Sequence, residues 1–168
     1  LSYFFRKPFL HHYTDSTGRQ KFRMAVNDTL KDYPGNWVLS EQGYIQFAGD
    51  KGLGHLLEAN LAEGTDEKVD SRVDSAIRVF CGRNATIDDK RNAVRDLVDA
   101  LEFLRPQAKE LLTRADENDL FNIANNFGIR HYNHEQKTNY RQEIWLPWMF
   151  YYYLATIHAL TRAIDDTD

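Results

Sequence analysis

Cysteine is almost absent from this sequence. The 168 residues include only Cys81, so the chain cannot form an internal disulfide bond. Proteins of oxidising compartments often depend on such bonds, and we therefore expect an intracellular, cytoplasmic protein. Cys81 lies between Phe80 and Gly82 in an amphipathic stretch. We expect it to be a small buried apolar residue rather than a reactive thiol.

The sequence also has no surplus of basic residues. It contains 21 Lys and Arg against 25 Asp and Glu, a formal net charge of -4. Proteins built to bind duplex DNA are normally basic, so this composition argues against that class. It leaves open an enzyme that grips one or two phosphate groups. The 42% of hydrophobic and 27% of charged residues are typical of a globular chain.

No long hydrophobic run is free of interruption. The most apolar stretch, 144–160, contains Pro147, His158 and three tyrosines and is short for a bilayer. It predicts a buried core helix and no membrane partner. No basic and apolar leader precedes the chain, and because Leu1 is the first residue we expect a piece of a longer protein with further domains.

Two common site patterns are missing. Gly49, Gly52 and Gly54 lack the spacing of a phosphate-binding loop, so they predict a flexible turn. His131 and His134, with two residues between them, match no zinc-protease pattern. The sequence therefore predicts neither a metal ion nor a cofactor.

The first 64 residues predict a small α+β appendage. Phe22, Val26 and Leu30 recur every four residues and predict a helix over 18–30. After a turn at 33–36, the apolar runs 37–39 and 44–47 flank a polar stretch and predict a β-hairpin. An isolated hairpin is marginal in water, so we expect it to lean on helices.

Residues 65–168 predict four helices. Thr65 is the expected N-cap of the first, whose apolar residues between 69 and 80 line one face. Thr86 with Asp89 forms a capping box at the second, which Pro106 bends or restarts and which carries Arg91 and Arg95 on its outer side.

Asp116 and Asp119 open the third helix, and Gly128 marks its end or a loosening near it. The last begins near Leu146, with Pro147 in its first turn. Its apolar residues lie on nearly every side, which is typical of a bundle centre or a dimer interface.

The predicted fold class is therefore mainly α. It is a four-helix up-down bundle over 65–168 with a small N-terminal α+β appendage, containing the hairpin, over 1–64.

The densest group of polar and titratable residues in the chain lies between the third and fourth helices. Arginine offers phosphate oxygens a planar fork of donors. Histidine, titrating near neutrality, can take a proton from a 2′-hydroxyl or return one to a leaving oxygen. Arg130, His131 and His134 thus suit metal-free phosphodiester cleavage. A plainer reading is a polar loop whose histidines cap helices.

A family resemblance rests on four parts of the chain. The run 100–104 is followed by Lys109, then by 125–131 (Asn-Asn-Phe-Gly-Ile-Arg-His), then by a helix rich in tryptophan and tyrosine. Together they resemble the HEPN superfamily, nearest to the HEPN-like domains of bacterial abortive-infection and related defence proteins. The likeness covers about 65–165. It implies a four-helix bundle that often pairs into a homodimer, and in active members a metal-independent endoribonuclease acting on RNA.

The resemblance also implies residue roles. Arg130 matches the motif arginine, His131 the polar position and His134 the catalytic histidine, and Glu102 matches an acidic position of the second helix that supports the site. Asn126, Asn133 and Lys137 are the expected substrate-binding residues of the same stretch. Three residues separate Arg130 from His134, one fewer than the usual minimum.

Two other functions remain open. Some superfamily members are inactive binding modules, so the chain is alternatively a non-catalytic dimerisation or interaction module of a larger protein. The glycines at 49–54 would instead fit a small-ligand or nucleotide sensor at the seam between the hairpin and the bundle.

Overall fold

The computed structural model describes residues 15–49, 53–129 and 140–166. The chain is mainly helical, with 70% of the described residues in helices, and has a small two-stranded antiparallel hairpin, as the sequence predicts. Within the described ranges the elements are α1 (Asp15–Leu30), β1 (Trp37–Leu39), β2 (Ile45–Phe47), α2 (Gly54–Glu58), α3 (Glu67–Phe80), α4 (Ile87–Leu111), α5 (Arg114–Asn126) and α6 (Gln142–Asp165).

The predicted first helix and hairpin are both present. Trp37 pairs with Phe47 and Leu39 with Ile45, after a turn in which Gly35 and Asn36 have positive φ angles of 110° and 52°. The amide side chain of Asn27 joins α1 to β1. Its Nδ2 donates to the Leu39 carbonyl at 3.2 Å, and its Oδ1 accepts from the Leu39 amide at 2.6 Å.

The hairpin leans on the end of α3. Gln46 forms an isolated antiparallel bridge with Gly82, and the Phe47 amide donates to the Cys81 carbonyl at 2.9 Å. Cys81 itself is buried, and burial raises the pKa of its thiol to about 12. The expected burial of Cys81 is therefore confirmed, and a raised thiol pKa disfavours the reactive thiolate.

The predicted N-cap of α3 is wrong by one residue. Asp66, not Thr65, caps the helix, and its carboxylate accepts from the Lys68 amide at 2.8 Å. The Thr65 hydroxyl instead donates to the Ala62 carbonyl at 2.7 Å, which places Thr65 in the preceding turn. The negative charge of a carboxylate at this position is also stabilised by the positive end of the helix dipole.

The second long helix, α4, confirms its predicted start and corrects its predicted interruption. Thr86 and Asp89 form the capping box. Pro106, however, neither ends nor restarts the helix, which runs on to Leu111. Pro106 is exposed, whereas Leu104 and Ala108 on either side are buried. Burial of both flanking turns holds the helix together despite the missing amide hydrogen bond.

The last helix begins earlier than predicted. It starts at Gln142 rather than near Leu146, so Pro147 lies inside it and not in its first turn. The Gln142 side chain accepts a hydrogen bond from Arg91 of α4 at 2.8 Å, and Leu146 is fully buried. These two contacts secure the additional turn before the proline.

The centre of the fold is α4, which packs most extensively against α3 and α6. The Phe80 ring of α3 stacks on the Phe150 ring of α6 at 3.9 Å with an angle of 11° between them. Helix α5 packs on α4, and α2 packs on α6, contributing Leu57 to the core. None of the helices in the described ranges has both the length and the apolarity needed to cross a membrane.

Candidate functional site at the α5–α6 connection

The predicted catalytic residues Arg130, His131 and His134 lie outside the described residues, and so do Asn133 and Lys137. Their roles stay predictions. The structure does describe the residues at both ends of this stretch and the helices that flank it. Those residues define the surroundings in which the predicted motif must work.

Ile129 fixes the chain immediately before Arg130. Its side chain is fully buried, and its amide donates to the Ala124 carbonyl at 3.0 Å. The preceding Gly128 has a φ of 65°, the left-handed conformation with which many helices end. The predicted end of this helix at Gly128 is therefore confirmed, and the chain leaves α5 in a defined direction.

Tyr140 fixes the chain on the other side. Its ring meets Phe127 edge to face at 5.2 Å and 86°. Its hydroxyl is buried and has no hydrogen-bond partner among the described residues. Burial raises the pKa of Tyr140, and the nearby positive charge of Arg91 opposes that rise in part. Phe127 and Tyr140 thus bring the end of α5 and the start of α6 together.

Two arginines of α4 lie beside these anchors. Arg95 donates from Nε to the Ile129 carbonyl at 2.9 Å. Arg91 donates to the Gln142 side chain and also pairs with the exposed Asp88 at 3.0 Å. Because they are four residues apart, both arginines point from the same face of α4. They supply positive charge next to the stretch that carries Arg130.

Sequence reasoning missed this pair. Both arginines were expected on the outer, solvated face of α4. Their four-residue spacing was visible in the sequence, but that spacing is common on exposed helices. Nothing local showed that this face of α4 meets the end of α5, because that contact joins residues 34 positions apart.

Three aromatic side chains of α6 form a row, which we call the aromatic ladder: the exposed Trp145 and Trp148 and the half-buried Tyr152. The exposed fractions of Trp145 and Trp148 are 40% and 43%. Trp148 stacks on Tyr152 at 5.5 Å and 18°, and it meets Trp145 edge to face at 5.6 Å and 83°. Phe127 contacts both tryptophans at 5.8 and 6.5 Å.

The ladder corrects the expectation that α6 lies at the centre of the bundle, whereas the alternative of a dimer interface stays a prediction. The helix does bury one face, but the other carries solvent-exposed rings. The buried residues are Leu146, Met149, Phe150, Tyr153, Leu154, Ile157, His158, Leu160 and Thr161. Hydropathy alone cannot separate these faces, because tryptophan and tyrosine are apolar enough to be buried and amphipathic enough to face water.

Asn126 and Glu102, the predicted site residues that are described, are well separated. Asn126 is exposed and is the last residue of α5. Glu102 pairs with Arg105 at 3.2 Å, and Arg105 pairs with the buried Glu117 near the start of α5 at 2.6 Å. The nine residues from Glu117 to Asn126 span about 13 Å of helix. The structure does not bring Glu102 to Asn126, and its supporting role stays a prediction.

The described residues contain no group of three or more His, Cys, Asp or Glu side chains placed to hold a metal ion. The metal-independent chemistry expected for 130–134 is untested by this finding, because those residues lie outside the described ranges.

A cleft of about 780 Å³ lies at the seam where a small-ligand site was considered. Its walls come from α1, the hairpin, α2 and α3, and they carry charges of both signs, including the pair of Arg23 and Glu41 at 2.8 Å. None of the buried polar atoms that lack a partner belongs to the walls of this cleft. The cleft therefore indicates no particular ligand class.

Comparisons of the chain with protein-family models, with curated proteins and with solved structures found no match. The site must be interpreted from its own residues. The site combines the guanidinium groups of two arginines with exposed aromatic rings, and the residues at both ends of the α5–α6 connection are held by packing. Such a surface can bind a phosphate group and a neighbouring aromatic ring.

Proposed function

We propose that the chain is a metal-independent endoribonuclease, or toxin-like effector domain, of a prokaryotic defence system of the abortive-infection type, working in the cytoplasm. The observation that carries the proposal is the convergence of Arg91 and Arg95 on the ends of the stretch that contains Arg130 and His134. Cleavage of a phosphodiester bond requires concentrated positive charge beside a group that moves protons.

The proposal includes a HEPN-like four-helix bundle formed by α3, α4, α5 and α6. Its support is the packing of α3 and α6 against α4, with α5 also on α4. In such a bundle the connection between α5 and α6 lies at one end. Residues at that end are open to a long polymeric substrate, whereas a site inside the bundle would not be.

The proposed reaction uses the 2′-hydroxyl of the RNA as nucleophile. His134 takes the hydroxyl proton, and the 2′-oxygen forms a bond to phosphorus while the bond from phosphorus to the 5′-oxygen breaks. His131 returns a proton to the departing 5′-oxygen, leaving a 2′,3′-cyclic phosphate. Arg130 holds the non-bridging oxygens, and Asn126, Asn133 and Lys137 contact the adjacent substrate. No oxidant or metal ion enters this balance.

The second candidate is a non-catalytic module that forms a homodimer or binds another domain of a longer protein. The exposed aromatic ladder favours it, because large apolar patches often mark protein interfaces. A homodimer would also serve the nuclease, since two copies meeting near Arg130 would place more than one cation at each phosphate.

Incubation of the purified protein with mixed RNA in EDTA tests the nuclease. We expect fragments that end in 2′,3′-cyclic phosphates. The double variant Arg130→Ala, His134→Ala should reduce the rate by roughly 10²- to 10⁴-fold. His55→Ala, at an exposed histidine of α2, is the matched control and should cleave normally. Absence of cleavage, or cleavage that survives in the double variant, would refute the nuclease and leave the interaction module.

A further inference from the structure

The apolar surface of α6 is divided in an unusual way. Trp145, Trp148 and Tyr152 are spaced three and four residues apart, so they lie along one side of the helix. The side that faces the core supplies the fully buried Phe150 and Leu154. Tyr152 packs partly against the core as well, but Trp145 and Trp148 are exposed and require another explanation.

The ladder rings are held in place by contacts with Phe127 and with one another. Phe127 contacts both tryptophans, and Trp148 lies nearly parallel to Tyr152. Rings fixed in this way lose little conformational freedom when a flat partner stacks on them. A nucleobase is such a partner, because every base has a π-face and stacking on protein aromatics tolerates any sequence.

The charge around the ladder is uneven along its length. Arg91 and Arg95 lie near the start of α6, where the exposed Arg141 immediately precedes the helix. At the other end, burial raises the pKa of Tyr152 and the charge of Asp119 raises it further, so a negative charge lies near that ring. Asp88, which pairs with Arg91, and the exposed Glu143 add negative charge at the Trp145 end, but the three arginines outnumber them. Phosphate groups are therefore favoured at the Trp145 end, although the whole chain carries a net charge of -4.

The same geometry favours a single strand over a duplex. In a duplex the base faces are stacked on one another and cannot reach a protein ring, whereas unpaired bases can be splayed onto aromatic side chains. A short local group of arginines also suits a few phosphates rather than the long charged surface of a helix.

We propose that the aromatic ladder is a stacking platform for unpaired bases of single-stranded RNA, whose phosphates are held by Arg91, Arg95 and Arg141. This inference rests on the proposed nuclease function, and it adds a preference for single-stranded RNA, which the predicted motif does not specify. The platform delivers an unpaired segment of RNA to the α5–α6 connection, so it makes the enzyme select single-stranded substrates.

Binding is measured separately from cleavage by using a His134→Ala protein in EDTA. The probe is a fluorescently labelled 12-nucleotide single-stranded RNA, compared with the same strand in a duplex, and the readout is fluorescence anisotropy. Adding Trp148→Ala should weaken single-strand binding by roughly 10- to 100-fold. Phe103→Ala is the matched control, because Phe103 is 44% exposed on α4 away from the ladder, and it should leave binding unchanged.

A second variant guards against misfolding of the first. Arg141→Ala should lower the slope of log affinity against log salt by about 0.7, the value for one lost contact to single-stranded phosphate. Circular dichroism should show both variants folded. Equal binding of duplex and single strand, or equal weakening by Trp148→Ala and Phe103→Ala, would overturn the platform.

The remaining outcomes separate this inference from the nuclease. Binding that depends on Trp148 in a protein that never cleaves RNA supports the platform and refutes the nuclease. Cleavage by a protein whose binding ignores Trp148 refutes the platform alone. If light scattering shows a dimer that Trp148→Ala dissociates without changing RNA binding, the ladder is an interface between two copies, and the platform is refuted.

Discussion

The region formed by α1 and the hairpin and the region formed by α3 to α6 are stabilised in different ways. No described side chain of α1 is buried, and Phe22 and Met24 are 66% and 65% exposed. The buried apolar core begins at Leu57 and draws on α3, α4, α5 and α6. The first region is held by specific hydrogen bonds, the second by burial. Local opening should therefore be far easier in the first region.

The largest expected effect tests the core. Phe150→Ala removes a fully buried ring that stacks on Phe80, and it should reduce the free energy of unfolding by about 3–5 kcal/mol. Phe22→Ala removes the same side chain from the exposed face of α1 and should cost less than about 0.5 kcal/mol. Urea denaturation followed by circular dichroism measures both. Similar losses of unfolding free energy in the two variants would contradict the difference between the two regions.

An intermediate effect concerns His158, a titratable group inside the core. It is 4% exposed, and both ring nitrogens are buried. Burial first, and then the charge of Arg162, lower its pKa below the ordinary value of 6.5, while hydrogen bonding with the Leu56 backbone raises it in part. The folded chain therefore binds this proton less readily than the unfolded chain does.

The sign of the pH dependence follows. The contribution of neutral His158 is fully present above pH 6.5 and is lost as the pH falls from 6.5 through the lower pKa of the folded state. Between pH 7.5 and pH 5 the melting temperature should fall by a few degrees, on the order of 2–4 °C per kcal/mol. His158→Leu should reduce this fall, whereas His55→Gln, at an exposed histidine, should not. An unchanged pH profile in His158→Leu would show that other groups cause the fall.

The smallest effect tests the hydrogen-bonded region. Asn27→Ala removes both contacts to Leu39 and should cost about 1 kcal/mol locally. Hydrogen exchange at the Leu39 amide should accelerate about fivefold, while core amides of α4 keep their rates. Asn122→Ala, at an exposed asparagine of α5, gains the same helix propensity without losing a contact and is the control. An unchanged exchange rate at Leu39 would show that the Asn27 side chain does not stabilise the contact between α1 and β1.

The sequence predicted those features that depend on neighbours along the chain. The Thr86 and Asp89 capping box, the core face of α3 and the end of α5 at Gly128 each follow from residues within a few positions. The predicted restart at Pro106 and the predicted place of Pro147 in the first turn of the last helix were wrong, whereas a bend at Pro106 stays a prediction. In both cases packing on other helices stabilises the turns that the prolines weaken, and a local pattern does not contain that information.

In the candidate site, too, the sequence predicted the local features and missed those that depend on contacts between distant segments. The polar stretch 130–137 was visible as a local cluster and stays a prediction, as does the division of the chain at 64 and 65. The arginines of α4 and the orientation of the aromatic ladder depend on contacts between distant segments, such as Phe127 with Trp148. Such contacts become visible only in the folded chain.

Pro147 weakens the backbone hydrogen bonding between the first turn of α6 and the rest of the helix. Because proline has no amide hydrogen, the carbonyl of Glu143 lacks the donor that a regular helix would provide at residue 147. The turn bearing Trp145 is therefore joined to the buried part of α6 by one backbone bond fewer. The position of this turn therefore depends on the buried Leu146 and on the hydrogen bond between Arg91 and Gln142. A molecule that binds beside Trp145 acts on a turn that is held by side-chain contacts more than by its backbone.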